Sequence, residues 1–200
     1  MKPDKTFVIT VDRPIACFDE TVRHLTEEGI EWERFDGLDN QKCRLAPVET
    51  FDLDRVGERI AAKHIAACLT HWACWKVCSH LPGDVFWLLE YDVRMVDGWR
   101  EKYARAMSVM PSDWDVIFLG SCCCDGRETK HIGENVYEVK YPLCGHAWAV
   151  RKKALPVLLR EHQRIYAPLD IALVFGALPK LRVFTILDPI VVQAGQQLPP

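Results

Sequence analysis

Five consecutive apolar residues, Val85-Phe86-Trp87-Leu88-Leu89, lead without a break into Glu90-Tyr91-Asp92. A run this short and this apolar, preceded by the turn signal Pro82-Gly83-Asp84, reads as a strand. In open α/β sheets, ligands bind at the carboxyl ends of strands. Carboxylates placed there repel one another and repel any phosphate. A hard divalent cation, Mg²⁺ or Mn²⁺, resolves both problems, because it takes oxygen ligands and bridges carboxylate to phosphate. Glu90 and Asp92 stand at i and i+2, so on a regular strand they share a face and could serve one ion, or an ion and a ribose hydroxyl. The same pair equally describes two solvated acids at a strand end, so its meaning depends on the rest of the chain.

The rest of the chain alternates strands with helices. Phe7 to Val11 is a β-branched strand ending at the turn Asp12-Arg13-Pro14. Ile15 to Glu28 is helical, with Phe18, Val22 and Leu25 on one face, and Gly29 stops it. Ile30 to Phe35 is a second strand, closed by Asp36-Gly37. This β–α–β opening favours a parallel sheet with helices on its faces. Residues 38 to 57 are polar and irregular, the best candidate for a mobile loop. Glu58 to Ser79 reads as a long helix, with Ile65, Leu69, Trp72 and Lys76 at helical spacing. Further helices are expected over 99–110, 152–161 and 168–178. Further strands are expected over 116–119, 136–139, 146–150, 183–187 and 190–193. The fold class is α/β, a sandwich, and residues 1–200 form one domain.

Composition excludes several alternatives. The chain is 49% hydrophobic and 26% charged with a net charge of −3, so it lacks the positive field that drives non-specific nucleic-acid binding. No uncharged apolar stretch reaches about 18 residues, so no membrane span is expected. The first residues, Met1 to Lys5, lack the features of a signal peptide, which places the protein in the cytoplasm. The nine cysteines are odd in number, and no matched Cys-x-x-Cys pairs occur. Nearly all are expected to be reduced, and most to be small buried hydrophobes. Cys122-Cys123-Cys124 on an extended chain would point to alternating faces and chelate poorly. His64, Cys68 and His71 are one ligand short of a closed zinc site.

Several segments, in order, resemble glycosyltransferase family 25, which includes bacterial lipooligosaccharide galactosyltransferases and collagen galactosyltransferase domains. They are Val8 to Arg13, Glu33 to Gly37, Ala67-Cys68-Leu69-Thr70-His71-Trp72, Leu88 to Val93, Asp113 to Gly120, Gly145 to Leu159, Pro168-Leu169-Asp170 and Asp188 to Gln193. The resemblance covers nearly the whole chain. It implies a GT-A-like, Rossmann-type sandwich with a mostly parallel central sheet. It also implies metal-assisted transfer of a hexose, galactose or glucose, from a UDP-sugar to a hydroxyl of a saccharide acceptor, with inversion. A non-saccharide acceptor such as nucleic acid is disfavoured by the near-neutral charge. Thr10, Arg13, Asp36, His71, Glu90, Tyr91 and Asp92 would bind the donor, Glu90 and Asp92 would hold Mn²⁺ or Mg²⁺, and Asp92 and Asp170 would be catalytic. For Arg13 the alternative is a surface arginine, and for His71 a core histidine.

Asp170 opens an apolar, helix-like run. An acid at a helix N-terminus stays ionised and could take the acceptor proton, or could simply cap the helix. Trp148 is the candidate sugar-stacking platform. The chain departs from the family at Tyr91, where an acid is usual, and at Lys63-His64, where Gly-Glu is usual. A nucleotide-sugar-binding protein without turnover is therefore the second reading. The oligomeric state is not legible.

Overall fold

The computed structural model describes residues 2–11, 15–39, 48–49, 59–60, 62–120 and 129–194. The chain opens with β1 (Lys5–Val11), α1 (Ala16–Glu27) and β2 (Glu33–Gly37). Two short strands follow, β3 (Val48–Glu49) and β4 (Arg59–Ile60), and then the long helix α2 (Ala62–His80). Next come β5 (Val85–Glu90), β6 (Val93–Met95), α3 (Trp99–Val109) and β7 (Val116–Gly120). The second half contains β8 (Lys130–Gly133), β9 (Val136–Glu138), β10 (Ala147–Arg151) and α4 (Leu155–Glu161). It closes with α5 (Leu169–Ala172), β11 (Val183–Ile186) and β12 (Val191–Gln193). A π-helical turn, Leu173–Ala177, continues α5.

Eight strands form the central sheet in the order β2-β1-β5-β10-β7-β11-β9-β8. β1 pairs parallel with both β2 and β5, and β7 pairs parallel with β11. β10 lies antiparallel between β5 and β7, and β9 lies antiparallel between β11 and β8. Two of the eight strands therefore run against the other six. The sheet is mostly parallel in strand direction, as expected. β12 leaves this sheet and pairs antiparallel with β6.

The period-2 alternation of strands divides the core into two. On one face Phe7, Ile9, Phe86, Leu88, Phe118, Trp148 and Val150 pack with α2, α4 and α5. On the other face Val8, Trp87, Leu89, Ile117, Leu119, Ala147 and Ala149 meet Leu25 of α1 and Tyr103 and Ala106 of α3. The result is a three-layer α/β/α sandwich. Helix α2 presents Ile65, Cys68, His71, Trp75 and Cys78, all buried and spaced three or four apart. Trp75 and Trp148 are fully buried and meet edge to face at 5.6 Å. Burying an apolar side chain of this size contributes roughly 2–3 kcal/mol.

Three expectations are corrected. Helix α2 begins at Ala62 rather than residue 58, because Arg59–Ile60 pairs as a strand with β3. Trp148 has no exposed surface, because β10 is an interior strand covered by α2, and so it offers no stacking platform. Cys144 is disulfide-bonded, a departure from the expectation that nearly all nine thiols are free. Cys17, Cys68, Cys74 and Cys78 are free. Cys122 to Cys124, and most of the expected loop over 38–57, lie outside the described residues. Among the described residues no helix is long and apolar enough to cross a membrane.

Gly120 ends β7 where β12 passes over it. A Cβ built there would lie 2.0 Å from the Val191 carbonyl oxygen and 2.8 Å from His146 Nε2. Backbone cannot yield as a flexible side chain does, so Gly120→Ala should destabilise the fold by about 1–3 kcal/mol or more. Equilibrium denaturation in urea measures this, and a loss below about 0.5 kcal/mol would show that β12 is not seated against β7.

Candidate functional site at the carboxyl end of β5

Strand β5 ends at Glu90, whose backbone N–H donates to the His146 carbonyl at 2.8 Å. The side chain of Glu90 lies on the α2 face, where His71 Nε2 stands 3.3 Å from Oε1. His71 is 2% exposed and packs between Trp75 and Trp148, with ring centroids at 6.2 and 5.8 Å. The Glu90 side chain keeps 29% of its surface. Burial pushes its pKa up, but the hydrogen bond from His71 and the electrostatic influence of the two neighbouring histidine rings outweigh this, and the net shift is downward.

Asp92 follows in the turn after β5, so the strand alternation that would have put it beside Glu90 stops one residue too early. Its position is fixed instead by β12. Gln193 Nε2 donates to Asp92 Oδ2 at 2.8 Å, and Ala194 N–H donates to the Asp92 carbonyl. Asp92 Oδ1 is buried and has no hydrogen-bond partner among the described residues. Burial, and then the charge of Glu90, push its pKa up against the Gln193 hydrogen bond. The two acids are thus driven apart, Glu90 toward the carboxylate and Asp92 toward the protonated form.

His146 completes the cluster. It is 2% exposed and feels the charges of both Glu90 and Asp92. The absent side chain of Gly120 gives it room. Among the described residues neither ring nitrogen completes a hydrogen bond, although the Val191 carbonyl lies close enough to favour the protonated ring. Burial dominates and lowers its pKa. Sequence reasoning took this histidine as the start of an apolar run and missed it. It also missed Gln193 as a partner of Asp92, because 101 residues separate the two.

The remaining candidates divide between the two faces. Thr10 is buried on β1 opposite Asp36 of β2, its Oγ1 without a partner. Ile9, one residue earlier, is in register with Glu90, so alternation turns Thr10 toward the α1 face and away from the Glu90 carboxylate. Asp36 is exposed on the edge strand, where Arg34 Nε donates to it at 2.7 Å. Tyr91 occupies the turn between Glu90 and Asp92 and is partly exposed. Arg13 lies outside the described residues. Asp170 is on the same face as Glu90. Its charge is felt by Cys68, one helical turn before His71 on α2. It is not the N-cap of α5, a position held by Pro168. Its Oδ1 accepts the adjacent Ile171 N–H, at 2.9 Å.

Glu90 and Asp92 offer hard oxygen donors, one of them an orphaned buried oxygen, and these fit a divalent cation. Among the described residues no three His, Cys, Asp or Glu side chains converge to hold an ion. Among the described residues the carboxylates at this strand end are those of Glu90 and Asp92.

No family model matches the chain, and no curated protein matches it. Among solved structures it is similar to a glycosyltransferase involved in the glycosylation of the major capsid of PBCV-1. The identity is 13%, the TM-score 0.50, and the match covers 97% of this chain and 94% of that one. It is also similar to A197 from STIV, at 12% identity and a TM-score of 0.49, covering 100% and 97% of the two chains. A mannose-1-phosphate geranyltransferase from Thermus thermophilus matches at 14% identity and a TM-score of 0.45, covering 96% of this chain and 76% of that one. The likeness to the PBCV-1 enzyme shows a shared fold, a Rossmann-like sandwich of the GT-A type.

Burial holds His146 and His162 below the ordinary histidine pKa. His162 packs edge-on against Trp75 at 5.1 Å, with Nδ1 3.0 Å from the Leu158 carbonyl. Both rings favour the neutral form in the folded state. Their stabilising contribution is therefore present above the unfolded pKa near 6.5 and is lost as pH falls through the lower folded value. The free energy of unfolding should fall below about pH 6.5, by at most about 1.4 kcal/mol per pH unit for each histidine. His162→Asn should flatten this slope in urea titrations at pH 5 to 7.5, and an unchanged slope would contradict the assignment.

Proposed function

We propose that this chain is a metal-assisted glycosyltransferase of the family 25 type. It would move a hexose from a UDP-sugar to a hydroxyl of a saccharide acceptor, with inversion at the anomeric carbon. The observation that carries this reading is Asp92. Its carboxylate is clamped by Gln193 at the carboxyl end of β5, beside Glu90, with one buried oxygen left unsatisfied. The sandwich shared with a glycosyltransferase and the ordered sequence resemblance support it.

Asp92 and Glu90 would hold Mn²⁺ or Mg²⁺, which supplies Lewis-acid neutralisation of the leaving diphosphate. His71 would orient Glu90, and Gln193 would orient Asp92. Both supporting partners are themselves fixed, His71 by tryptophan packing and Gln193 by strand β12. The acceptor oxygen attacks the anomeric carbon, the bond from that carbon to the diphosphate breaks, and the acceptor proton goes to a carboxylate. Asp170 is the proposed base, on the α2 side with Glu90. The reading puts the protein in the cytoplasm, on the free thiols of Cys17, Cys68, Cys74 and Cys78 among the described residues and against the disulfide at Cys144. Tyr91, standing where the family usually has an acid, favours a second reading, a protein that binds nucleotide sugar without turnover.

Asp92→Asn should lower turnover by roughly 10²-fold or more and abolish the effect of Mn²⁺ on donor affinity, with the fold retained. Steady-state assays against UDP- and GDP-sugars, with and without EDTA, check this. Full activity in EDTA would remove the metal from the mechanism. Donor binding without turnover by the wild-type chain across a broad acceptor panel would favour the second reading.

Asp170→Ser separates base from structure, because serine still serves the helix start but cannot take the proton. Loss of a base costs about 10²- to 10⁴-fold in kcat, whereas loss of a helix-start interaction costs about 1 kcal/mol of stability. An unchanged kcat would move the base elsewhere.

A further inference from the structure

The two edges of the central sheet are built differently. An edge strand presents a row of N–H and C=O groups to any chain that can pair with it, and proteins blunt such edges with bulges, prolines and lysines. β8, at one end of the strand order, is blunted: it begins with Lys130, and its register with β9 shifts between His131 and Gly133. β2, at the other end, has none of these devices. Its residues, Glu33-Arg34-Phe35-Asp36-Gly37, keep unbroken parallel register with β1 and include no proline or lysine. Among the described residues no strand pairs with its outer edge.

Pleat alternation sorts the side chains of β2 between the two faces. Phe35 lies on the α2 side, where its ring meets Phe7 edge to face at 5.9 Å. Gly37 seats on the same side against α2, since a Cβ there would collide with Thr70. Arg34 and Asp36 lie on the α1 side, where the Arg34 guanidinium stands over the Phe18 ring at 5.0 Å. Arg34 Nε donates to Asp36 Oδ1 at 2.7 Å, and Nη2 donates to the Val11 carbonyl at 3.3 Å. These bonds hold the guanidinium in place, and its fork has donors to spare for a second carboxylate. Arg34 and Asp36 keep 41% and 53% of their side-chain surface, so both can be reached from outside.

This order of residues is complementary to its own reverse. When a second copy of β2 lies antiparallel to the first, centred on Phe35, Arg34 of each chain faces Asp36 of the other. Phe35 faces Phe35. Glu33 faces Gly37, which has no side chain, and Glu33 is already paired with Lys5 of its own chain. Just outside the strand, half-buried Trp32 faces Leu38, which is 38% exposed. Opposite charges and aromatic pairs across antiparallel strands are favourable, whereas like charges directly opposite are not. Moving the centre by one residue sets Arg34 against Arg34, or Asp36 against Asp36. The charges therefore select one register.

We infer that the outer edge of β2 is the interface of a homodimer, in which a second copy of this chain adds its own β2 antiparallel and joins the two sheets into one. About four to six backbone hydrogen bonds form across the two-fold axis, and the reciprocal Arg34–Asp36 pairs fix the register. β1 runs parallel to both β2 and β5, so the axis sends the two β5 carboxyl ends to opposite ends of the joined sheet. Neither site faces the other, and the inference rests on no step proposed at either.

Sedimentation equilibrium on the full chain, at micromolar to sub-millimolar concentrations, should show monomer and dimer in exchange. Arg34→Asp sets acid against acid across the axis, and Asp36→Arg sets arginine against arginine. Each variant alone should dimerise about tenfold more weakly, or worse. Both side chains are exposed, so each variant should keep the fold, which circular dichroism checks. Mixed in equal amounts, the two variants should recover the wild-type affinity as a heterodimer, because every acid again faces an arginine. Should either variant fail to fold, Arg34→Glu and Asp36→Lys repeat the exchange with the same charges. The inference is overturned by a wild-type chain that stays monomeric at every concentration, by single variants that dimerise as the wild type does, or by a mixture of folded variants that fails to recover the lost affinity.

Discussion

A single contact, His71 Nε2 against Glu90 Oε1 at 3.3 Å, joins the longest helix to the carboxyl end of the central strand. An unpaired carboxylate in this setting would be costly, and removing one partner of a buried pair is far more damaging than never having had the pair. The contact is supported on every side. Trp75 is on the same helix as His71, Trp148 is on the reversed strand β10, and Phe118 stacks on Trp148 from β7 at 6.0 Å. The position of Glu90 is thus set by packing that runs through three neighbouring strands of the sheet and the helix above them. The Glu90 N–H, bonded to the His146 carbonyl, fixes the backbone at the same point.

The placement of Asp92 rests on a different device. β12 leaves the main sheet, crosses the end of β7 at Gly120, and pairs with β6 immediately after the acidic turn. That crossing brings Gln193 to Asp92 and the Val191 carbonyl to His146. The histidine holds the pKa of one acid down, and burial and the neighbouring charge push that of the other up. Pairs of titratable groups pushed in opposite directions are characteristic of working sites. A cation between the two would reverse the shift at Asp92 by supplying the charge that burial penalises.

Much of this architecture is legible in the residues. The strands of the sheet read correctly where they are short apolar runs bounded by turn residues. Phe7 to Val11 and Val116 to Leu119 each fall inside an observed strand, as does Val85 to Leu89. β6 and β8 were not legible, because three or four residues with mixed polarity carry no periodic signal. The pair Glu90 and Asp92 was legible as chemistry but not as geometry, since the strand ends at Glu90 and the turn carries Asp92 out of alternation. His146 and Gln193 depend on pairings between distant segments, which no local pattern encodes. Trp148 failed as a platform for the same reason: a tryptophan on a strand reads alike whether the strand is an edge or, as here, interior. Thr10 and Asp36 were carried by resemblance, and pleat alternation turns Thr10 to the other face from Glu90.

The central claim is that the carboxyl end of β5 is where a nucleotide diphosphate meets a divalent ion. A crystal structure of the chain with UDP and Mn²⁺, with anomalous data at the manganese edge, addresses it directly. The account predicts a manganese peak at the carboxyl end of β5, beside Asp92 and Glu90, with the diphosphate next to it. A diphosphate bound without an ion at these acids, or a manganese peak elsewhere in the molecule, would contradict it.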